Sequence, residues 1–200
     1  ETLPSDEEVT LRDARGGGVT RPEWAVLMAY AKLTLKSDLQ QSEVPSDPYL
    51  ARELVRYFPE PLHKPYAEEI ENHRLRREII ATGLANSMIN RGGPAFVVRL
   101  CGETGADPGR VAAAYAVARD SFGFQALNGL VDTFDGAIAG PAQLSIYAEL
   151  QRYLRWSTLW FLRQEQFDDG LSSVIERYKS GVAEVAAFLT DHSDPAVSAR

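Results

Sequence analysis

The chain has 200 residues, of which 44% are hydrophobic and 24% are charged, and its formal net charge is −7. These proportions are those of an ordinary water-soluble globular protein, and the length allows a core that buries about 70% of the unfolded surface. The acidic balance argues against broad binding to nucleic acid, because contact with phosphates requires a basic surface.

Two further features concern the compartment. Cys101 is the only cysteine, which excludes an internal disulfide and a cysteine-based metal site and fits a reducing compartment.

The N-terminus is acidic and lacks the apolar core of a signal peptide. The most apolar segment, Trp24–Ala31, is much shorter than the roughly 20 residues that cross a bilayer. We therefore expect a cytoplasmic protein with no membrane partner, and the initial Glu1 suggests a piece of a longer polypeptide.

Capping signals predict the first two helices. Ser5 with Glu8, and Thr20 with Glu23, have the spacing of capping boxes. The first box predicts a short helix that ends at a three-glycine joint, and the second predicts a helix to about residue 38. The face of the second helix that we expect to lie in the core carries Trp24, Leu27, Met28, Ala31 and Leu35.

Prolines and glycines divide the middle of the chain. The Asp-Pro pair at 47–48 predicts the start of a helix that ends near Tyr57. Three prolines within 58–65 predict an extended or turn-like connector. A long helix is then predicted from near residue 66 to the glycine pair at 92–93.

The same signals continue to the C-terminus. They predict helices over residues 94–104, 109–122, 124–134, 142–164 and 171–189. Gly105 has the place of a left-handed helix terminator. The aromatic residues of the 142–164 helix are predicted to serve packing: Tyr147, Tyr153, Trp156, Trp160 and Phe161. No segment has the alternation of a strand, so the prediction is an all-α array of about eight helices without a β-sheet.

The most distinctive stretch is the helix that follows residue 73. On a helical projection Ile80, Ala81, Leu84 and Met88 share one face, whereas Leu75, Ile79 and Ile89 lie nearly opposite. A helix that is apolar on two faces is usually packed between neighbours. Arg77 interrupts the first face, and Thr82 and Asn86 interrupt the second. Burying such groups without partners costs about 1–3 kcal/mol each, so we expect specific hydrogen bonds.

We hypothesise that polar residues and glycines of this helix are specified beyond simple packing. The structural or interface candidates are Arg74, Arg77, Asn86, Asn90, Arg91, Gly92 and Gly93. The alternative is a satisfied buried network of structural value only, with the basic residues paired to nearby carboxylates such as Glu71 and Glu78.

The usual signatures of catalysis and metal binding are absent from the sequence. No G-x-G-x-x-G occurs, and without strands no dinucleotide-binding sheet forms, so we assign no catalytic or cofactor-binding residue here. Glu60 and His63 have the E-x-x-H spacing of a carboxylate-bridged metal helix, but the motif lies among prolines and occurs once, so we assign no metal site. Cys101 is interpreted as a small buried hydrophobic residue.

Three blocks carry a family resemblance. They are RPEWAVLMAYAKLTL at 21–35, DPYLARELVRYFPEPL at 47–62 and HRLRREIIATGLANSMINRGG at 73–93. They resemble the C-terminal region of the large, bacterial-type NAD-specific glutamate dehydrogenases. The resemblance runs from Leu3 to about Arg163 and is weak after Gln164. It implies a parent enzyme that oxidatively deaminates L-glutamate to 2-oxoglutarate and ammonia while reducing NAD, with its catalytic and NAD-binding residues upstream of this segment.

The resemblance also implies an organisation and a role. Residues 1–19 would form a short helix and glycine-rich joint, 20–190 a helical C-terminal domain, and 191–200 a flexible tail. The segment would be inactive alone and would serve structure, subunit contact in a homo-oligomer or regulation, with the upstream catalytic domain as its partner. The alternative is a free-standing helical interaction or regulatory module, which a start codon directly upstream of Glu1 would support.

Overall fold

The structure, a computed structural model, describes residues 3–192 and is all-α, as predicted. The described residues form eleven α-helices and no strand. In chain order the helices are α1 (Asp6–Asp13), α2 (Arg21–Gln41), α3 (Ala51–Tyr57), α4 (Glu60–His63), α5 (Ala67–Glu71), α6 (Arg76–Gly92), α7 (Phe96–Thr104), α8 (Pro108–Ser121), α9 (Phe124–Asp132), α10 (Gly140–Gln164) and α11 (Gly170–His192). Within this part of the chain, no helix is both long enough and apolar enough to span a bilayer.

The chain divides into two compact units, residues 1–109 and residues 110–200. The predicted organisation into 1–19, 20–190 and 191–200 stays a prediction. Residues 193–200 of the predicted tail lie outside the described residues.

Both predicted capping boxes are confirmed. The Ser5 hydroxyl accepts from the Glu8 backbone amide and begins α1, and Thr20 does the same with Glu23 at the start of α2. The Arg12 guanidinium donates to both carboxylate oxygens of Glu23, at 2.9 and 2.8 Å. Because α1 has no buried residue, this ion pair is the described side-chain interaction that connects it to α2.

The core of the first unit forms where α2 and α3 pack on α6. α6 buries one face completely, with Ile80, Ala81, Leu84, Ala85, Met88 and Ile89 at most 1% exposed. Leu35 and Leu39 of α2 and Leu54 of α3 are buried with them. Burying a leucine or isoleucine side chain stabilises a fold by about 1.5–3 kcal/mol. This cluster therefore fixes α6 in the unit.

The predicted core face of α2 is wrong over its N-terminal half. Of its five residues Leu35 alone is buried, Leu27, Met28 and Ala31 are half-buried, and Trp24 is 46% exposed. The buried residues of α2 lie in its C-terminal half. The helix also ends at Gln41, three residues beyond the predicted end.

Two of the eleven helices in the described part of the chain were not predicted, each for a local reason. The predicted connector at 58–65 contains α4, because Pro61 occupies the first turn of that helix, where no amide hydrogen bond is required. The predicted long helix is interrupted between α5 and α6. There the Asn72 side-chain amide donates to the Glu68 carbonyl at 3.0 Å, and the Leu75 amide donates to Nδ1 of His73 at 3.2 Å. Such local bonds compete with helix continuation.

The second unit contains most of α8 and all of α9–α11. Residues 111–118 of α8 are all buried. α9 and α10 pack together, and the buried rings of Phe124 and Phe161 lie against Tyr153, Phe122 and Tyr178. The predicted boundaries of α7, α8 and α10 agree with the structure to within two residues, and the left-handed terminator at Gly105 is confirmed with φ of +72°.

Candidate functional site

Arg77 joins the first turn of α6 to the end of α2. Its Nη2 donates to the carbonyls of Gln40 at 3.0 Å and Ser42 at 2.7 Å, and its Nη1 donates to the Ser46 hydroxyl. The last carbonyls of a helix have no partner within the helix. Arg77 therefore caps α2 from a distant part of the sequence, and the specific hydrogen bonds expected for this residue are present.

Gly92 and Gly93 form the turn between α6 and α7. A Cβ on Gly92 would lie 2.4 Å from Cγ of Phe96, whose ring is buried. Gly93 has φ of +88°, which L-residues with a side chain rarely adopt. Both positions require glycine because of this close turn.

The other candidates lie on the surface. Arg74, Asn86, Asn90 and Arg91 are exposed. Arg77 and Gly92 are fifteen residues apart, a rise of about 22 Å along a helix. The candidates are thus spread along α6, and a role of any of them at an interface stays a prediction.

The second apolar face of α6 is packed only in part: Ile89 is buried and Ile79 is half-buried, but the N-terminal end of the face is exposed. Leu75 is 47% exposed, Thr82 and Asn86 are exposed, and the Thr82 hydroxyl donates to the Glu78 carbonyl of its own helix. This face and α3 form an open groove of about 400 Å³. The lining residues are Glu53, Arg56, Tyr57, Leu75, Glu78, Ile79, Thr82, Gly83 and Asn86.

A smaller apolar pocket of about 320 Å³ lies beside α4 and α5. It is lined by Phe58, Leu62, Tyr66, Glu69, Ile70 and His73. The His73 ring meets Phe58 edge-on with centroids 5.4 Å apart, and Nε2 of His63 lies 2.7 Å from the Phe58 carbonyl. Both histidines thus serve local packing, and the described residues contain no cluster of side chains suited to holding a metal ion.

The second unit has a larger groove, the aromatic groove, with a volume of about 610 Å³. It is lined by Phe122, Tyr153, Trp156, Ser157, Leu159, Trp160, Arg163, Gln164 and Tyr178. Phe161 is fully buried, as the prediction that the rings of α10 serve packing requires, and Tyr153 and Trp160 contact other rings of the unit although they are partly exposed. Tyr153, Trp156 and Trp160 are 44%, 56% and 45% exposed. Their spacing of three and four residues on α10 was the available sequence signal.

The pKa values of Cys101 and Tyr178 are both raised by their local surroundings. Burial raises the pKa of the Cys101 thiol, but the residue is only partly buried, whereas the sequence predicted a fully buried one. The pKa of Tyr178 is raised because its hydroxyl donates to the Glu165 carboxylate. This hydrogen bond fixes the ring of Tyr178 at one wall of the aromatic groove.

Comparison with known proteins identifies the family. The family model described as "Glutamate dehydrogenase, C-terminal" matches residues 16–199. The chain belongs to this family. The match includes all of the candidate residues of α6 and the whole aromatic groove. It also continues well past Gln164, where the resemblance in the sequence itself was weak.

Three curated relatives, each described as "NAD-specific glutamate dehydrogenase", align with the chain. The protein of Halomonas elongata is 46% identical over 164 residues, and that of Pseudomonas aeruginosa is 40% identical over 166 residues. These alignments cover 82% and 83% of this chain but 10% of each relative. The protein of Mycobacterium tuberculosis is 40% identical over 108 residues, which are 54% of this chain and 7% of the relative. The chain therefore spans about a tenth of the length of the curated relatives it matches.

Proposed function

We propose that these residues form a non-catalytic helical segment of an NAD-dependent glutamate dehydrogenase. The parent enzyme oxidatively deaminates L-glutamate to 2-oxoglutarate and ammonia and reduces NAD. The observation that carries the proposal is the alignment of most of this chain with a tenth of two relatives described as NAD-specific glutamate dehydrogenases. The same share disfavours a free-standing module, since these relatives carry the stretch inside a much longer chain.

The fold supports the non-catalytic part of the proposal. Dehydrogenases commonly hold a dinucleotide at the carboxyl ends of parallel strands, with the pyrophosphate at a glycine-rich turn. Every regular element of residues 3–192 is helical. We therefore assign NAD and glutamate binding to the remaining nine-tenths of the enzyme.

The exposed apolar side chains support a role in contacts. Both units expose large hydrophobic residues, among them Trp24, Tyr30, Leu33, Tyr57 and Leu75 in the first and Tyr153, Trp156, Trp160, Val185 and Phe188 in the second. Contiguous exposed apolar surface commonly marks an interaction site. The proposed partners are the catalytic domain of the same chain and further copies in a cytoplasmic homo-oligomer.

The test uses the full-length parent enzyme with the region corresponding to residues 20–192 deleted. We expect NAD affinity to stay within about twofold of the intact enzyme, a difference below 0.5 kcal/mol, while the oligomeric mass or the thermal midpoint changes. Loss of NAD binding by a folded deletion variant would contradict the assignment.

Point variants of the full-length enzyme test the contact role without a deletion. Asn86→Leu changes the exposed groove of α6, Arg77→Met breaks the cap of α2, and Arg99→Met alters an exposed residue of α7 as the control. We expect assembly or turnover to change in the first two variants and not in the control. If turnover and assembly are unchanged in the Asn86→Leu and Arg77→Met variants, as in the control, a functional role for these two residues of α6 is rejected.

A further inference from the structure

We propose that the aromatic groove holds an acidic amphipathic helix supplied by the part of the same enzyme that lies outside these 200 residues. The proposal rests on the proposed function, because it takes the segment to be part of a longer dehydrogenase. Beyond the proposed function, it specifies the docking surface, the acidic and helical character of the bound segment, and the part of the enzyme that supplies this segment.

The shape of the groove suits a helix. Tyr153, Trp156 and Trp160 follow one another at three- and four-residue spacing and form a stripe about 10 Å long on α10. Tyr178 of α11 stands beside this stripe, and buried Leu159 lines the same groove. A groove between two helices offers apolar pockets but no strand edge, so it accepts the apolar face of a helix and not an added strand.

Two of the three rings of the stripe, those of Tyr153 and Trp160, are already held in place. Trp160 meets Phe161 and Tyr178 edge-on, with centroids 5.0 and 5.4 Å apart, and Tyr153 lies 5.0 Å from Phe124. Ordering a side chain on binding costs free energy, and side chains fixed beforehand avoid most of this cost. Tryptophan and tyrosine in such positions are the residues that most often dominate the affinity of an interface.

The positive charge on the α10 side of the groove favours an acidic partner, while the carboxylate at the Tyr178 wall, that of Glu165, is paired with Arg177. α10 contains three arginines and one glutamate, a net charge of +2, whereas the whole chain carries −7. Arg163 lines the groove, the guanidinium of Arg155 lies 5.4 Å from the centroid of the Trp156 ring, and Arg152 is exposed beside its ion-pair partner Glu149. Complementary charge of this kind fixes the register of a partner and disfavours a basic one.

The length of the relatives indicates where the proposed helix comes from. About nine-tenths of each long relative lies outside the aligned stretch. Sequence of the same polypeptide binds the groove in an intramolecular step, which favours it over a separate protein wherever the connecting chain can reach the groove. The competing occupant within this chain is α1 of a second copy, which is acidic and has no buried residue.

The test is site-specific photocrosslinking in the full-length enzyme. p-Benzoylphenylalanine replaces Trp156, and a matched control carries it at Ser172, an exposed residue of α11. We expect position 156 to label one peptide upstream of this segment, helical and with acidic residues along one side, in at least about tenfold greater yield than the control, as for a buried interface centre. Should the enzyme fail to assemble with the probe at 156, the probe is placed at Tyr153 with the same expectation.

Several outcomes overturn the proposal. They are labelling of residues 3–109 of this segment, labelling of α1 of a second copy, labelling of a basic or extended peptide, and equal yields at the two positions. Normal NAD binding and turnover with any of these outcomes would reject the aromatic groove as the docking site and leave the proposed function standing. Loss of NAD binding on deletion of the segment would instead reject the proposed function.

Charge variants test the acidic character of the partner. Arg163→Glu is expected to lower the labelling yield from position 156 by about tenfold, and Arg163→Lys to keep it within about twofold, because the positive charge is retained. Arg99→Glu makes the same charge change on α7 and is expected to leave the yield unaltered. Equal labelling in the Arg163→Glu and Arg99→Glu variants would overturn the charge argument.

Discussion

Two glycines of α6 allow a direct comparison of steric and conformational effects. At Gly92 a Cβ would lie 2.4 Å from Cγ and 2.8 Å from Cβ of Phe96, the near end of a ring that is 3% exposed and has no room to move away. At Gly83, in the middle of the same helix, a Cβ would meet nothing within 4 Å. Alanine should therefore have opposite effects at the two positions.

The magnitudes follow from these contacts. Overpacking costs about 1–3 kcal/mol, and replacing glycine with alanine inside a helix returns about 0.5–1 kcal/mol. Gly92→Ala should thus lower the free energy of unfolding by about 1–2 kcal/mol, while Gly83→Ala should raise it by about 0.5–1 kcal/mol. Urea unfolding of the purified segment, followed by circular dichroism at the helical band, measures both. A Gly92→Ala variant as stable as Gly83→Ala would refute the reasoning.

Three further predictions concern other parts of the structure. Arg77→Met should destabilise the segment by about 1–3 kcal/mol, because two partly buried carbonyls lose a charged donor, whereas Arg74→Met should change urea stability by less than about 0.5 kcal/mol. The pKa of Glu23 is lowered to about 2 by the hydrogen bond from the Thr20 amide and by Arg12, so its stabilising effect should be complete above pH 4.5 and lost as the pH falls toward 2. Glu23→Gln should remove that part of the pH dependence of the urea midpoint; an unchanged pH profile would contradict it. Phe161→Ala should cost about 3–5 kcal/mol, since the ring is fully buried, but half-exposed Trp156→Ala should cost under about 1 kcal/mol in the isolated segment. Equal losses at positions 156 and 161 would show that the aromatic groove belongs to the core.

The helix boundaries could be predicted because their signals are local. The caps at Ser5 and Thr20 and the terminator at Gly105 each act within one turn of the helix that they bound. The break between α5 and α6 was missed, although its cause is also local. The side chains of Asn72 and His73 form hydrogen bonds with the backbone that compete with those of a continuous helix. The spacing of apolar residues through this region contains no sign of these hydrogen bonds.

Burial was harder to predict than secondary structure. Helical periodicity shows which residues share a face, but it does not show whether this segment itself covers that face. Trp24, Leu75 and Trp156 all have the pattern of core residues and are about half exposed. The physical reason is that exposure depends on which other helices reach a face, and the pattern of a single helix does not contain that information. The partners of Arg77 were equally inaccessible, since the carbonyls that it binds lie 35 and 37 residues away.

On the proposed function, this helical segment neither binds NAD nor takes part in the chemistry of the enzyme. The decisive measurement is a calorimetric titration of NAD into the purified 200-residue segment, with the full-length parent enzyme as the positive control. We expect saturable binding by the parent and no binding heat with the segment. Saturable, stoichiometric NAD binding by the segment would contradict it.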